Sequence, residues 1–266
     1  MAFFAVCQPG EEVITFEPYY ANYNSYAAIN GVKIVPVLTT GETGFHLPER
    51  QVIEGKITKK TKAIIICNPN NPTGTLLRRA ELRNILDSVK HHKGILFCDE
   101  AFIGLADPEE SLTSIRDPHL FVLHSLTKSF AVPGLRIGFG FGDRDLVEKI
   151  ETARSPWCVN AYAEAFAMEA LLHLGELADS RKAIARERNR LVSAISALGL
   201  HCYPSAVNFL LVDCGRDVMP LCSALSQKNI LVRDCTSFGL PTCIRIAVRA
   251  PDENSQLLEA LGSCVR

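Results

Sequence analysis

Three charged residues follow apolar, strand-like runs of the sequence. Asp99 comes directly after GILFC, Lys128 lies just beyond LFVLH, and Arg136 follows in PGLRIGFG. A lysine amine that is partly desolvated beside other cations can lose its proton and attack a carbonyl carbon to form a Schiff base. An ionised carboxylate at the end of a buried strand is costly without a cationic partner. The spacing therefore indicates a pocket in which a carbonyl compound meets an amine and a carboxylate.

An anion is the third group that this pocket could hold. The planar fork of Arg136 can donate two parallel hydrogen bonds to a phosphate, and an amide-rich loop, NPNNPTG, follows another strand-like run. Pyridoxal 5'-phosphate meets every demand: Lys128 would take its aldehyde, Asp99 would keep its ring nitrogen protonated, and Arg136 would bind its phosphate. Taken singly, Asp99 could instead be a cap or a core ion pair, and Lys128 a solvated surface group.

The elements that must position these residues alternate in the first half of the chain. Helix-like stretches separate short apolar runs at 11–16, 32–37, 62–67, 94–98 and 120–124. This rhythm predicts βαβ units and a parallel sheet. Apolar residues at three- and four-residue spacing predict a crossover helix over about 78–92. Because open α/β sheets bind ligands beyond the carboxyl ends of their strands, we expect the site there.

The pattern changes after residue 143. Long helical stretches at 159–174 and 176–198 precede strand-like runs at 207–214, 230–235 and 243–248, with further helical stretches at 218–227 and 253–261. The fold class predicted is α/β, a mostly parallel sheet flanked by helices, with a smaller C-terminal α+β domain. We place the large domain at 1–174 and the small domain at 175–266, with the helix at 159–174 connecting them.

Composition excludes several classes of function. The chain has 266 residues, of which 47% are hydrophobic, and 28 Lys and Arg against 29 Asp and Glu leave a net charge of -1. This balance predicts no nucleic-acid or anionic-membrane partner, and no apolar run approaches the roughly 18 residues of a spanning helix. The ten cysteines form no CxxC pair and no ligand spacing, which predicts core thiols, no metal and a reducing, cytoplasmic setting.

Three motifs carry a resemblance to a known family. NPNNPTG at 68–74, DEAF at 99–102 and SLTKSFAVPGLRIG at 125–138 resemble those of class I/II aminotransferases, the fold-type I pyridoxal phosphate enzymes. The resemblance implies that Lys128 forms the Schiff base with the cofactor and that Asp99 pairs with its pyridine nitrogen. It implies the other cofactor ligands as well: Asn71 at the phenolic oxygen, Ser125 and Arg136 at the phosphate, and Tyr20 stacked on the ring. Such enzymes act as homodimers, so a homodimer is expected.

The C-terminal run ILVRDCTSFGLPTCIRIAVR resembles a narrower branch, the histidinol-phosphate aminotransferases and threonine-phosphate decarboxylases. In that branch the residue matching Arg245 holds the substrate carboxylate and the one matching Arg233 reaches the substrate phosphate. The substrate implied is a small, phosphorylated amino acid or amine. The motifs favour a threonine-phosphate decarboxylase, with histidinol-phosphate aminotransferase or another class I/II transaminase as the alternative. Arg249, two strand steps beyond Arg245, is left without a role.

The resemblance begins near Gln8, whereas family members begin well upstream. We therefore expect the glycine-containing turn that cradles the cofactor phosphate to be missing, and a catalytically inactive truncated remnant is a further hypothesis. A dinucleotide-binding oxidoreductase is the weakest alternative, because GFGFGD at 138–143 lacks the GxGxxG spacing.

Phe102 departs from the family pattern, which often has a tyrosine there. Without that hydroxyl, the cofactor's phenolic oxygen loses a hydrogen-bond donor, so we expect the Schiff base with Lys128 to hold its proton more tightly. A visible-absorbance pH titration of the cofactor-loaded protein should show its transition at higher pH than in Phe102→Tyr. Superimposable titration curves for the two proteins would contradict this prediction.

Overall fold

The computed structural model of the protein describes residues 5–265 and shows two sheets. The larger sheet has six strands in the order β2-β1-β3-β4-β5-β6. Neighbours among the first five are parallel, and β6 runs antiparallel to β5. The strands are β1 (Glu12–Glu17), β2 (Lys33–Leu38), β3 (Thr61–Cys67), β4 (Ile95–Asp99), β5 (Leu120–Ser125) and β6 (Gly138–Gly142).

The central strands are apolar over most of their length because both faces of this sheet are covered. In β3, Ile64 and Ile66 belong to the apolar cluster on one face, whereas Ala63 and Ile65 belong to the cluster on the other. Successive side chains point to opposite faces, so a strand buried on both sides needs a continuous apolar run. The helices along this sheet are α1 (Asn22–Ile29), α2 (Arg50–Glu54), α3 (Arg79–His91), α4 (Leu126–Ser129) and α5 (Arg144–Ala153).

The predicted crossover helix is α3. Its buried face consists of Leu82, Ile85, Leu86 and Val89, the residues whose spacing predicted the helix. Its first turn is closed by the Glu81 carboxylate, which accepts a hydrogen bond of 2.7 Å from the backbone N–H of Arg78. A carboxylate at this position satisfies one of the amides that a helix start leaves without a partner.

A second, antiparallel sheet has four strands in the order β7-β8-β10-β9. These are β7 (His201–Cys202), β8 (Phe209–Asp213), β9 (Arg233–Asp234) and β10 (Cys243–Ala247). The remaining helices are α6 (Ala161–Leu172), α7 (Leu177–Ala197), α8 (Met219–Gln227) and α9 (Pro251–Val265). Leu191 and Ile195 of α7 and Leu261 of α9 pack on the sheet in one apolar cluster.

The predicted fold class is confirmed: a mostly parallel sheet flanked by helices precedes a smaller C-terminal sheet with helices. The domain boundary between 174 and 175 stays a prediction, and the first four residues lie outside the described part of the chain. The strand predicted over 230–235 is shorter, since only Arg233–Asp234 pairs with β10.

The sequence pattern does not predict strand β6. It forms from the glycine-rich run 138–142, whose low strand propensity hides it. A Cβ on Gly140 would lie 2.5 Å from the ring of Phe121, and one on Gly138 would lie 2.5 Å from the carbonyl oxygen of His124. These glycines therefore let β6 approach β5 closely.

Helix α7 contacts segments that adjoin both sheets. The Arg181 guanidinium donates a hydrogen bond of 3.1 Å to the carbonyl of Gly104, in the loop after β4. The Arg188 guanidinium donates a hydrogen bond of 2.9 Å to the carbonyl of Val207, which precedes β8. The expectation that the preceding helix connects the two domains stays a prediction.

Within residues 5–265, no helix is long and apolar enough to cross a membrane. All ten cysteines are free thiols.

Leu96 tests the contribution of the large core. It is fully buried in β4, so Leu96→Ala should remove about 3 kcal/mol from the free energy of unfolding. Leu38 on edge strand β2 is 67% exposed, and Leu38→Ala should change that free energy by less than about 0.5 kcal/mol. Urea unfolding of both variants measures the two values, and similar losses would contradict the burial described.

Candidate active site

A cavity of about 360 Å³ opens at the carboxyl ends of β3, β4 and β5. Its volume falls within the range of roughly 300–1,000 Å³ usual for small-molecule sites. The structure brings together at this cavity all six residues that the sequence assigned to the cofactor: Tyr20, Asn71, Asp99, Ser125, Lys128 and Arg136. The loops that carry them are remote in sequence and converge because parallel strands end at the same edge of the sheet.

Asp99 ends β4 and lies at the cavity wall. One carboxylate oxygen accepts a hydrogen bond of 2.8 Å from the Tyr23 hydroxyl, and the other accepts one of 3.2 Å from the backbone N–H of Ala101. Burial raises the pKa of Asp99, and these two hydrogen bonds oppose the rise. Asp99 has no ion pair among the described residues. A cation in the cavity would therefore stabilise its ionised form.

Tyr23 is a functional residue that the sequence analysis missed. It lies in α1, is almost completely buried, and lines the cavity. Burial raises the pKa of Tyr23 well above its ordinary value, so the hydroxyl stays neutral and remains a donor. The EPYYANY run contains three tyrosines, and only the tertiary structure shows which one points its hydroxyl at Asp99.

Lys128 lies in the short helix α4, directly after β5. Its side chain is exposed at the cavity, and its Nζ lies 5.6 Å from the ring centroid of Phe102. The hydroxyls of Ser125 and Thr127, on the same turn, form a hydrogen bond of 2.7 Å. Thr127 also lines the cavity, which adds a hydroxyl that the sequence analysis did not assign.

Arg136 reaches the cavity from the loop between α4 and β6. Its backbone has a φ of 54°, in the left-handed region that residues other than glycine seldom adopt. One guanidinium nitrogen donates a hydrogen bond of 3.0 Å to the carbonyl of Pro133, which leaves other N–H groups of the fork for an anion. Backbone strain of this kind is concentrated at binding sites in proteins.

The two sheets meet at Asn71. Its side-chain oxygen accepts a hydrogen bond from the Arg245 guanidinium of β10. Arg245 is half-buried, and burial lowers its pKa. Its guanidinium carbon lies 5.0 Å from the ring centroid of Phe209. A cation from the second sheet therefore stands beside the loop that the first sheet contributes to the cavity.

Arg233 lies directly opposite Arg245 in the pairing of β9 with β10. It is exposed, donates a hydrogen bond of 2.7 Å to the Ser237 hydroxyl, and lies over the ring of Phe238. Neither arginine forms an ion pair within residues 5–265. Arg249, by contrast, lies 2.6 Å from the Glu253 carboxylate and is an ordinary surface ion pair.

Glu100 supports the site from behind. Its side chain is fully buried and accepts hydrogen bonds from the Ser111 hydroxyl and the backbone N–H of Leu112. It also lies 2.9 Å from the His124 ring, next to Ser125. These contacts hold the ends of β4 and β5 together, and the sequence contains no signal for them beyond the acidic pair in DEAF.

A parallel sheet with a lysine and an aspartate at its carboxyl edge is the architecture of fold-type I pyridoxal phosphate enzymes. The chain belongs to the family described as aminotransferase class I and II, whose pattern matches residues 1–261. This finding confirms the resemblance stated from the motifs.

The similar proteins include two bacterial histidinol-phosphate aminotransferases. That of Symbiobacterium thermophilum is 34% identical over 97% of this chain and 71% of its own length. That of Roseiflexus castenholzii is 34% identical over 97% of this chain and 69% of its own length. The chain thus spans about seven-tenths of the length of these relatives.

Two solved structures show the same fold. The histidinol-phosphate aminotransferase of Clostridium acetobutylicum superimposes with a TM-score of 0.89 at 28% identity, covering 96% of this chain and 78% of that one. A tetra mutant of Thermus thermophilus aspartate aminotransferase superimposes with a TM-score of 0.88 at 26% identity, covering 99% of this chain and 76% of that one.

Members of the family depend on pyridoxal phosphate, and the residues of the cavity fit this cofactor. The half-buried Asp99 has two neutral hydrogen-bond donors and no ion pair within residues 5–265, which matches a protonated pyridine nitrogen. The hydroxyls of Ser125 and Thr127 and the fork of Arg136 line the same cavity and suit a phosphate.

Tyr23→Phe tests the support of Asp99. The Tyr23 hydroxyl lowers the pKa of Asp99, so its loss should raise that pKa and leave the carboxylate less ionised in acid. Cofactor affinity should fall about tenfold, and its acidic decline should move to higher pH. Equilibrium dialysis with pyridoxal phosphate across the acidic range measures both effects.

Tyr19→Phe is the matched control, because the Tyr19 hydroxyl donates to Asn24 rather than to Asp99. It should leave the affinity and its pH dependence unchanged. Equal behaviour of the two variants would show that Tyr23 does not support Asp99.

Proposed function

We propose that this protein is an aminotransferase that moves the amino group of histidinol phosphate, a phosphorylated amino alcohol, to a 2-oxo acid. The observation that carries the proposal is the cavity in which Lys128 and Asp99 stand at one edge of the sheet, beside Arg245 from the second sheet. The similar proteins named histidinol-phosphate aminotransferase support the choice of substrate.

In this proposal the cofactor is held by residues from five segments of the chain. Asp99 pairs with its ring nitrogen, Tyr20 covers its ring, Asn71 donates to its phenolic oxygen, and Ser125 and Arg136 bind its phosphate. The Tyr20 ring meets that of Tyr23 edge-on at 5.6 Å, which supports a defined orientation. When bound, pyridoxal phosphate supplies an electron sink for the bonds at the substrate's α-carbon.

Lys128 carries the proton in the proposed reaction. Its exposed amine reaches the cavity from α4, where it can take the proton from the α-carbon as general base and return it as general acid. The Phe102 ring lies beside it, with its centroid 5.6 Å from the amine nitrogen. The same amine is the nucleophile that attaches the cofactor.

Two arginines suit a reaction whose two substrates bind in turn. A 2-oxo acid carries a carboxylate, which we assign to Arg245, and histidinol phosphate carries a phosphate, which we assign to Arg233. Both guanidinium groups are without acidic partners among the described residues, so each can accept an oxyanion without first breaking an ion pair.

The sequence favoured a threonine-phosphate decarboxylase, and this preference receives no support from the similar proteins reported above. Decarboxylation and transamination start from the same residues and differ in the bond that breaks at the α-carbon. We therefore propose transamination and keep decarboxylation as an outcome of the test. The expected homodimer stays a prediction.

Borohydride reduction of the protein with pyridoxal phosphate should attach the cofactor to Lys128, as located by peptide mass. Lys128→Ala should lose both the label and at least about a thousandfold of the amino transfer, because nucleophile and base disappear together. Lys182→Ala, which removes an exposed lysine paired with Asp179, is the control and should keep both.

The substrates distinguish the remaining possibilities. Amino transfer from histidinol phosphate to 2-oxoglutarate supports the proposal. Release of carbon dioxide from threonine phosphate, without amino transfer, would replace it with the decarboxylase. No label on any lysine would overturn the role of the cofactor in this chain.

A further inference from the structure

The Arg245 guanidinium rests on an aromatic ring instead of an acid. Its carbon lies 5.0 Å from the centroid of Phe209, and its hydrogen-bond partner is the neutral Asn71 side chain. Arg233, directly opposite on β9, adds a second positive charge nearby. A half-buried cation in this position needs a stabilising neighbour, and the face of an aromatic ring provides one through its quadrupole.

Phe209 is itself held rigidly. It begins β8, is 6% exposed, and packs with Val207 and Phe102 in one small apolar cluster. The rings of Phe102 and Phe209 meet edge-on at 5.2 Å between centroids. Such a pair has a preferred geometry, so movement of one ring displaces the other.

Phe102 extends this contact to the catalytic lysine. Its ring lines the cavity and lies 5.6 Å from the Lys128 Nζ. Three successive side-chain contacts therefore join the two sheets: Lys128 with Phe102, Phe102 with Phe209, and Phe209 with Arg245. None of these side chains is acidic, so none of them competes with a substrate anion for Arg245.

We propose that Phe209 is a positioning residue for the substrate anion. Its ring supports the Arg245 guanidinium and, through Phe102, sets the position of that cation relative to Lys128. A ring that binds the flat face of a guanidinium leaves the N–H edge free for a carboxylate, whereas an acidic partner would occupy that edge. This inference rests on the proposed function, in which Arg245 binds the carboxylate of the 2-oxo acid.

The test is the dissociation constant of 2-oxoglutarate, measured by calorimetry on the pyridoxal phosphate form of the protein. Phe209→Leu should weaken binding about fivefold to tenfold, because Arg245 loses its support. Phe209→Tyr keeps the ring and should bind as the unchanged protein does. The visible spectrum of the cofactor should be the same in both variants, since Phe209 does not line the cofactor cavity.

Phe97→Leu is the matched control for lost core packing. Phe97 is fully buried and pairs with Phe121 at 5.9 Å, away from both arginines. It should destabilise the protein without changing the dissociation constant. If Phe209→Leu does not fold, the Phe209→Met variant, which retains volume without a ring, takes its place and should show the same weakening.

A double-mutant cycle with Arg245→Gln separates the proposed role of Arg245 in binding the carboxylate from the inference that Phe209 positions it. Arg245→Gln alone should weaken binding at least about tenfold, and adding Phe209→Leu should then weaken it less than about twofold further. If Arg245→Gln has no effect, or 2-oxoglutarate does not bind at all, the proposed role of Arg245 is wrong, and the inference with it. If Arg245→Gln weakens binding but Phe209→Leu does not, only the inference about Phe209 is wrong.

Discussion

The carboxylate of Asp99 is the constraint around which the site is organised. It ends a buried strand, and burial raises its pKa, yet it has no ion pair among the described residues. Tyr23 and the backbone of Ala101 each donate one hydrogen bond and compensate part of the cost. The positive charge of Lys128 also lowers the pKa of Asp99, and a cationic ligand in the cavity would stabilise the carboxylate further. The pocket is thus matched to a protonated ring nitrogen before any ligand enters it.

The second constraint is that one cation beside the site, Arg245, comes from another sheet than Lys128 and Arg136. Arg245 reaches Asn71 from β10, and α7 connects the same regions through Arg181 and Arg188. An anion bound at Arg245 therefore contacts an element that is separate from the one carrying Lys128. Substrate orientation consequently depends on how the sheets pack, and the aromatic pair Phe102 and Phe209 is the packing that connects them.

The large sheet supports features that are unfavourable locally. Arg136 adopts a left-handed backbone conformation, and Glu100 is buried behind the strand ends. Strained residues and buried acids persist only where surrounding structure determines them. The apolar clusters on both faces of the parallel sheet provide that surrounding structure.

The sequence by itself determined the class of fold and six of the residues that line the cavity. Alternating apolar runs specify parallel strands, and Asn71, Asp99 and Lys128 follow those runs within a few residues, so chain order places them at one edge. Only the tertiary structure decided that Tyr23 donates to Asp99, that Glu100 reaches Ser111, and that Arg245 rests on Phe209. The tertiary structure also decided that the run 138–142 forms strand β6, because its glycines have low strand propensity. These features depend on contacts between residues far apart in the chain, and local periodicity carries no information about which of several similar side chains will meet.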